Sequence, residues 1–273
     1  MSTRHLIETS SDKLKYYASM NETFKQIFGK NLMLHYPFYR KADETLENRQ
    51  INLTEHLIEQ AGGIDGKTVL EVGCGSGSQS IYMRTNYQPT RVIGIDLIDE
   101  NIDIAHQQNQ KDNPVEFHVD DAQKLTNVKS DSVDFLICVE SALHYPSKEL
   151  FLEQVKRVLK PGGKFVIADI INKKAGRTYP SARWKDKMSY FHWTADEYKS
   201  SFHKNGLLLN FEEDLTERVI KGYEGYIKWI KRKSARNFVR YIAFQIFAII
   251  HCEINIGNLK KKENYYLFIG VRS

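Results

Sequence analysis

The sequence predicts an α/β fold in which helices flank a mostly parallel β-sheet, and three observations lead to it. Between residues 68 and 211, short apolar runs rich in β-branched residues alternate with helical patterns, which is typical of a parallel sheet. The first apolar run ends in three glycines at alternate positions, Gly73, Gly75 and Gly77. The second run ends in an acid, Asp96, about twenty residues beyond the glycines, a spacing that Rossmann-like nucleotide sites use.

Composition indicates an ordinary soluble globular chain. Its 273 residues can bury a sizeable core, and charged residues make up 27% against 41% apolar ones. The net charge of +5 is spread along the chain with one local excess, so charge alone does not indicate a nucleic-acid partner. Three cysteines without metal-type spacing predict reduced thiols, no metal site and a cytoplasmic location. The N-terminus lacks the apolar core of a signal peptide.

The glycine-rich stretch T-V-L-E-V-G-C-G-S-G-S-Q-S, residues 68–80, predicts a strand, a tight loop and the start of a helix running from Ser80 to Thr85. Glycine permits positive φ and lets a ligand approach the backbone, and the helix N-terminus faces the same space. A strand-to-helix turn needs glycine even without a ligand, which is the alternative interpretation. The acid of R-V-I-G-I-D, Asp96, favours a ligand because such an acid can bind both hydroxyls of a ribose.

Together, E-V-G-C-G-S-G and V-I-G-I-D-L resemble the class I S-adenosylmethionine-dependent methyltransferases. The resemblance implies S-adenosylmethionine as cofactor, S-adenosylhomocysteine as product, and a Rossmann-like seven-stranded sheet whose last strand is antiparallel. It also implies that the glycine loop holds the amino-acid end of the cofactor and that Asp96 holds the ribose. The cofactor-binding residues expected on this basis are Glu71, Gly73, Gly75, Asp96, Leu97, Asp121, Ala122 and Glu140.

Residues 1–62 are predicted to form an N-terminal helical cap segment. Ser11 and Asp12 can cap a first helix with apolar residues at spacings of three and four, and a last helix is predicted over 45–61. The spacing from Tyr16 to Gly29 resembles the N-terminal segment of phosphoethanolamine methyltransferases, in which a tyrosine pairs with a histidine. Tyr16 is therefore a catalytic candidate and Tyr17 a substrate-binding one, with simple packing as the alternative.

The aromatic segment N-L-M-L-H-Y-P-F-Y, residues 31–39, is kept out of a helix by Pro37. It is similar to the N-L-H-x-G-Y-W element with which small-molecule methyltransferases cover the cofactor. Pro37 and Phe38 depart from that pattern, so a cofactor contact by His35 or Tyr36 stays open.

The methyltransferase core is predicted over residues 63–211 and is completed by a last strand within 264–273. The remaining predicted core elements are a helix at 98–108, strands at 115–119 and 133–139, a helix at 148–159, an L-K-P-G-G turn, a strand at 165–170, a helix that starts with a capping box at Thr194, and strands at 207–211 and 265–271. Residues 212–263 are too long and too helical for a loop. We interpret them as a helical lid over the substrate.

Asp120, Asp121 and Ala122 follow the strand predicted at 115–119. The resemblance implies that Asp121 contacts the adenine amino group and that Ala122 provides a backbone contact beside it. A helix N-cap by either acid is the alternative.

The stretch E-S-A-L-H-Y-P, residues 140–146, follows the strand at 133–139 and lacks the Asn/Asp-Pro-Pro-Tyr/Phe signature of enzymes that methylate nucleic-acid bases or glutamine. It resembles the small-molecule branch, which includes phosphoethanolamine, sarcosine and natural-product methyltransferases. By that resemblance His144 deprotonates or positions the methyl acceptor. Asp169, at a strand end, would orient His144 or hold the acceptor, and the alternative is a cap or surface charge.

Candidate substrate-binding side chains are mostly aromatic and lie near the lid: Tyr17, Ser141, Trp193, Tyr223 and Tyr226. Aromatic rings can box an apolar ring or an ammonium group, but a helix packing face explains the last two equally well. The basic run from Lys228 to Arg240 is a solvated helix face, a site for an anionic substrate group, or a membrane-surface contact beside the apolar residues 241–250.

The predicted function is therefore transfer of a methyl group from S-adenosylmethionine to a nitrogen, oxygen or carbon atom of a small molecule. An RNA or protein methyltransferase and a non-catalytic cofactor-binding protein are the alternatives. A nicotinamide-dependent dehydrogenase is disfavoured because the loop lacks the third glycine of G-x-G-x-x-G.

Overall fold

The structure is a computed structural model that describes residues 33, 35–41, 46–175, 190–234 and 240–273. The predicted N-terminal helix, with Tyr16 and Tyr17, lies outside the described residues. The helices are α1 (Leu46–Gln60), α2 (Ser78–Asn86), α3 (Asp99–Gln108), α4 (Lys148–Val158), α5 (Ala195–Lys204), α6 (Thr216–Ser234) and α7 (Arg240–Lys261). The strands are β1 (Thr68–Val72), β2 (Arg91–Asp96), β3 (Glu116–Val119), β4 (Val133–Val139), β5 (Leu159–Asn172), β6 (Leu207–Asp214) and β7 (Glu263–Arg272). Within these ranges no helix is both long and apolar enough to cross a bilayer.

The seven strands form one sheet in the order β3-β2-β1-β4-β5-β7-β6. Strands β1 to β5 run parallel, whereas β7 is antiparallel to both β5 and β6. This arrangement confirms the Rossmann-like, mostly parallel sheet with an antiparallel last strand. The strand order reverses between β1 and β4, and open α/β sheets bind their ligands outside the carboxyl ends of the strands at such a point.

Two apolar clusters cover the two faces of the sheet, because successive side chains of a strand point to opposite sides. In β5, Val166 and Ala168 belong to one cluster and Ile167 to the other. Helices α1, α2, α3, α6 and α7 contribute to the first cluster, and α4 and α5 to the second. Both faces are therefore buried, as a parallel sheet requires.

The predicted L-K-P-G-G turn differs from the observed structure. Instead of ending a helix and then starting a new strand at residue 165, the chain is already paired with β4 at Leu159. The pairing resumes at Lys164, so the intervening residues form a bulge, and Gly162 adopts a positive φ of 75° there. The prediction was wrong at this point because local turn residues do not reveal pairing on both sides of a bulge.

The capping box predicted at Thr194 is confirmed. The Thr194 hydroxyl accepts a hydrogen bond from the Glu197 N–H, and the Glu197 carboxylate accepts one from the Thr194 N–H. Other element ends shift by a few residues from their predicted positions, as in β6, which extends to Asp214.

The predicted insertion is a hairpin of α6 and α7 between β6 and β7. Its inner side packs on the first apolar cluster through buried residues such as Val219, Tyr223 and Ile256. Residues 35–41, which include part of the aromatic segment predicted at 31–39, lie directly against α6, since a Cβ at Gly222 would lie 2.2 Å from the Pro37 carbonyl oxygen. We call residues 35–41 the aromatic cover. Only a glycine at position 222 allows this close approach, and the contact with α6 keeps the segment above the carboxyl edge of the sheet.

Candidate active site

The glycine loop after β1 has two differently used positions. Gly73 has a φ of 78°, and a Cβ there would lie 1.9 Å from the Ser141 Oγ. This glycine lets the loop after β1 pack against the loop after β4. Gly75 has a φ of 51°, and a Cβ there would meet nothing within 4 Å. Gly75 therefore faces open space at the carboxyl edge.

We expect Gly73→Ala to destabilise the fold by about 3 kcal/mol, because it adds positive-φ strain to a clash with Ser141. The Ser141 hydroxyl is held by a 2.7 Å hydrogen bond with the Tyr145 hydroxyl, so it cannot move aside freely. Gly63→Ala is the matched control, since Gly63 has a φ of 84° with nothing within 4 Å of its would-be Cβ. Thermal melts should show a larger loss for Gly73→Ala, partly restored by Ser141→Gly. Equal losses at Gly73 and Gly63 would contradict the clash.

Glu71 lies beneath the glycine loop. Its buried carboxyl group accepts a hydrogen bond from the Ser80 hydroxyl in the first turn of α2. Burial raises the pKa of Glu71 to about 8, against the opposing effect of the Ser80 bond. The carboxyl group thus ties the strand end to the helix that receives the loop.

Asp96 connects the glycine loop to the start of α3. Its Oδ2 accepts a 2.9 Å hydrogen bond from the Gly75 N–H, and its Oδ1 accepts bonds from the Ile98 N–H at 2.9 Å and the Asn101 amide at 3.1 Å. Burial raises the pKa of Asp96. The neighbouring Leu97 is 69% exposed. A half-buried carboxylate beside an exposed apolar side chain suits a ligand with hydroxyl groups next to a flat ring.

The two acids after β3 have different surroundings. Asp120 is buried and accepts hydrogen bonds from the Asp121 N–H at 2.8 Å and the Asn127 N–H at 2.7 Å. Asp121 accepts a 2.9 Å bond from the Gln123 N–H through Oδ1, while Oδ2 lies 3.5 Å from the Lys124 ammonium. The predicted capping role thus applies to a turn instead of a helix, and Asp121 is the more accessible of the two acids.

Glu140 follows β4 in a positive-φ conformation of 49°. Its Oε1 accepts a 2.5 Å hydrogen bond from the Tyr36 N–H, and burial raises the pKa of Glu140 to about 8. The Tyr36 ring lies edge-on to Tyr223 at 5.2 Å and beside Tyr265 at 5.8 Å. In this structure Glu140 therefore holds the aromatic segment over the carboxyl edge.

We expect the stability of the protein to fall as pH rises from 6.5 towards 8. The folded state keeps protons on Glu71 and Glu140, whereas the unfolded chain has released them because the ordinary pKa of a glutamate is 4.5. Burial lowers the pKa of His35 from 6.5 to about 4, and this group opposes the trend only below pH 6.5. Glu140→Gln should flatten the slope measured by thermal melts, whereas the exposed Glu149→Gln should not. A wild-type stability that rises over this interval would contradict the assignment.

The rings of His144, Tyr190 and His192 lie in a row beside the loop after β4, and we call these three residues the ring wall. The His144 ring stacks on Tyr190 at 5.1 Å, and Tyr190 lies 5.5 Å from His192. His192 Nδ1 bonds the Ile170 carbonyl at 2.8 Å, and the Phe191 N–H donates to the Leu143 carbonyl at 2.7 Å. These bonds attach residues 190–192 to the ends of β5 and of the His144 turn, so the histidine has a fixed ring on one side.

Asp169 lies on β5 and is fully buried. Its Oδ2 accepts a 2.6 Å hydrogen bond from the Tyr198 hydroxyl, and Oδ1 has no hydrogen-bond partner among the described residues. Burial raises the pKa of Asp169 to about 6, opposed by the nearby Lys148 ammonium. Lys148 in turn donates to the Phe191 carbonyl oxygen. This burial suits a positioning role for Asp169 and not direct contact with an acceptor.

The predicted pocket aromatics are largely packing residues in this structure. Trp193 lies edge-on to Tyr198 at 5.2 Å and belongs to the rim of the second apolar cluster. Tyr223 and Tyr226 are buried in the first cluster, in agreement with the alternative interpretation of a helix packing face. Among the described members of the predicted group, Ser141 lies directly against the glycine loop.

Sequence reasoning missed Lys148, Tyr190 and His192. Lys148 begins an amphipathic helix and looks like an ordinary surface residue, although it is only 1% exposed. The run Y-F-H-W, residues 190–193, was a usable signal, because a histidine between aromatic residues in the connection that follows the carboxyl end of β5 can reach the carboxyl edge.

Comparison with known proteins identifies the family. The model of a family described as a methyltransferase domain matches residues 64–228, more than half of the chain. The chain is 26% identical to 27-O-demethylrifamycin SV methyltransferase of Amycolatopsis mediterranei, over 90% of this chain and 89% of that one. It is 34% identical to erythromycin 3''-O-methyltransferase of Saccharopolyspora erythraea over 49% of this chain, and spans 44% of that relative's length.

A solved structure shares the fold. Phosphoethanolamine N-methyltransferase 2 of Haemonchus contortus, in complex with S-adenosylhomocysteine, superimposes with a TM-score of 0.77 at 18% identity, covering 96% of this chain and 58% of that one. Together with the family match and the sheet order, this likeness confirms the predicted family. The chain belongs to the class I S-adenosylmethionine-dependent methyltransferases.

Proposed function

We propose that this protein transfers a methyl group from S-adenosylmethionine to a hydroxyl group of a small molecule, with natural products as the acceptor class. The carrying observation is the half-buried Asp96 carboxylate bonded to Gly75 at the strand-order reversal, beside open space and the exposed Leu97. The oxygen methylation named for the rifamycin and erythromycin relatives supports a hydroxyl acceptor. Nitrogen and carbon acceptors are the alternatives.

The residues present fit the cofactor. Open space over Gly75 leaves room for the amino-acid end of the cofactor. Gly75 has a positive φ, and a residue with a side chain would be strained in that conformation. Asp96 keeps acceptor capacity for a ribose hydroxyl, since a carboxylate offers about four lone-pair sites and three are used here. Leu97 supplies an apolar surface for the adenine ring, and Asp121 Oδ2 an acceptor for its amino group. Glu71 acts beneath the loop by holding it to α2.

The bound cofactor supplies an electrophilic methyl group on a sulfonium. His144 accepts the proton of the acceptor hydroxyl as the oxygen attacks, and its stacking on Tyr190 holds the plane of the ring. Lys148 fixes the Phe191 carbonyl and Asp169 faces Lys148 and Tyr198, so both position the ring wall. The segment 35–41, held by Glu140 and α6, covers the edge and excludes water.

We further propose a cytoplasmic enzyme of biosynthesis whose α6–α7 hairpin, residues 216–261, serves as a lid. The thiols of Cys74, Cys138 and Cys252 are buried and unpaired, which supports a reducing compartment. Tyr16 and Tyr17 remain candidates for completing the site from the N-terminal segment.

The test is incubation of the purified protein with methyl-labelled S-adenosylmethionine and a small-molecule extract of the source cell, followed by mass identification of labelled products. A labelled small molecule with an O-methyl group supports the proposal. Label found only in RNA or protein overturns it. Calorimetric titration with S-adenosylhomocysteine and with NAD separates the methyltransferase from a dehydrogenase, because only the former should show affinity for the first ligand.

A further inference from the structure

Helix α7 is apolar on two opposite sides. Its inner side buries Cys252, Ile256 and Leu259 against the core. Its outer side presents four apolar side chains that are each more than half exposed, Ile246, Phe247, Ile250 and Ile254. Positions 246, 250 and 254 are four apart, so they line one helix face. We call these four residues the outer face of α7.

An exposed apolar face of this kind is unusual for a helix on a protein surface. Surface helices normally turn a polar face to water, and a contiguous exposed apolar patch indicates an interaction site. The sequence places Glu253 beside the outer face as an exposed acid, but the four members themselves are uncharged over more than two helical turns. The outer face is therefore suited to an apolar or interfacial partner.

The adjacent end of α6 is basic. Lys228, Lys231 and Arg232 are exposed in its last turns. Because α6 and α7 are consecutive helices packed against each other, the end of α6 lies at the same end of the hairpin as the start of α7. An apolar helix face beside lysines and arginines is the combination that binds anionic lipid surfaces.

We propose that the outer face of α7 docks on an anionic lipid bilayer, with Lys228, Lys231 and Arg232 on the phosphate headgroups. This goes beyond the proposed methyl transfer and does not depend on it. A membrane uses both features of the hairpin, whereas a second copy of the chain would use only the apolar one. Attraction of the three cations to the lipid favours the membrane.

The inner side of the same hairpin adjoins the candidate site. The Asn255 amide of α7 donates a 3.1 Å hydrogen bond to the Tyr223 hydroxyl, and Tyr223 packs on Tyr36 of the covering segment. Lipid docking would thus bring the bilayer to the side of the hairpin opposite this aromatic cover.

The test is flotation of the full-length protein with vesicles of phosphatidylcholine alone or mixed with phosphatidylglycerol. We expect binding to the mixed vesicles that weakens at high salt. The double variant Phe247→Ser/Ile250→Ser should weaken it by about tenfold or more, and Lys228→Glu/Lys231→Glu should remove the salt dependence. Leu150→Ser is the matched control, since Leu150 is 46% exposed on α4, at the opposite sheet face, and should bind like wild type.

Failure of the wild type to bind either vesicle, or equal binding by the apolar double variant and the wild type, would overturn the proposal. So would a wild-type dimer, measured by sedimentation, that becomes monomeric in Phe247→Ser/Ile250→Ser without any vesicle binding, because the outer face would then bind a second copy. Thermal melts show whether the variants are folded. The charge-reversal variant alters only exposed residues and keeps the test decisive if the apolar variant does not fold.

Discussion

Asp96→Ala is expected to weaken binding of S-adenosylhomocysteine by about a hundredfold, which corresponds to about 3 kcal/mol, the upper end of the range for one hydrogen bond to a charged group. The carboxylate is half-buried and already accepts bonds from Gly75, Ile98 and Asn101. Its removal deletes the acceptor for the ribose and also releases the glycine loop from α3. Isothermal titration calorimetry measures the loss, and a thermal melt in parallel measures the structural part.

Two further variants separate the two effects of Asp96. Asp96→Asn keeps the size of the side chain but replaces one acceptor oxygen with a donor, so an intermediate loss of affinity is expected. Asp99→Asn removes an exposed acid from the first turn of α3 and should leave affinity unchanged. If Asp96→Ala lowers the melting temperature while its affinity equals that of wild type, Asp96 is only a structural link and the cofactor site is misplaced.

His144→Ala is expected to lower turnover by about a hundredfold to ten-thousandfold, the usual range for loss of a general base. Affinity for S-adenosylhomocysteine should not change, because His144 lies on the ring wall after β4 and not on the glycine loop. The measurement is the single-turnover rate of methyl transfer to the acceptor that the extract assay identifies. A hydroxyl acceptor with an unchanged rate would contradict the role of His144 as base.

The control for His144 is His203→Ala, which removes an exposed histidine from the last turn of α5 and should keep full turnover. Tyr190→Ala adds an independent check. It removes the ring stacked on His144 without removing the base, so a smaller loss of turnover is expected than for His144→Ala. A loss in Tyr190→Ala equal to that in His144→Ala would mean that the wall as a whole, and not proton transfer, limits the reaction.

Much of the fold could be predicted because its signals are local. The three glycines after β1, the acid at the end of β2 and the capping box at Thr194 each depend on residues close in sequence, and the structure contains each as predicted. The bulge after Leu159 was not predictable from the same kind of signal. Its shape depends on pairing with β4, which the residues of the bulge do not encode alone.

The site was predicted unevenly for the same reason. The hydrogen bond between Glu140 and the Tyr36 backbone joins residues 104 positions apart, and the sequence around either residue does not predict the contact. Lys148 lies on α4 and Asp169 on β5, and their charges influence each other because both side chains are buried close together. Burial also changes what such groups can do, since it raises the pKa of the Asp169 carboxyl and lowers that of the Lys148 ammonium.

By itself, the sequence determined the order of strands and helices, the family and the acid expected to bind the ribose, because periodicity, glycines and strand-end acids act over a few neighbouring residues. Only the tertiary structure decided which side chains come into contact: Glu140 holds the aromatic cover, Tyr190 stacks on His144, and Asp169 accepts a hydrogen bond from Tyr198. The physical reason is that folding brings residues distant in sequence into contact. The free energy of those contacts depends on how deeply the groups are buried, which a local sequence pattern does not predict.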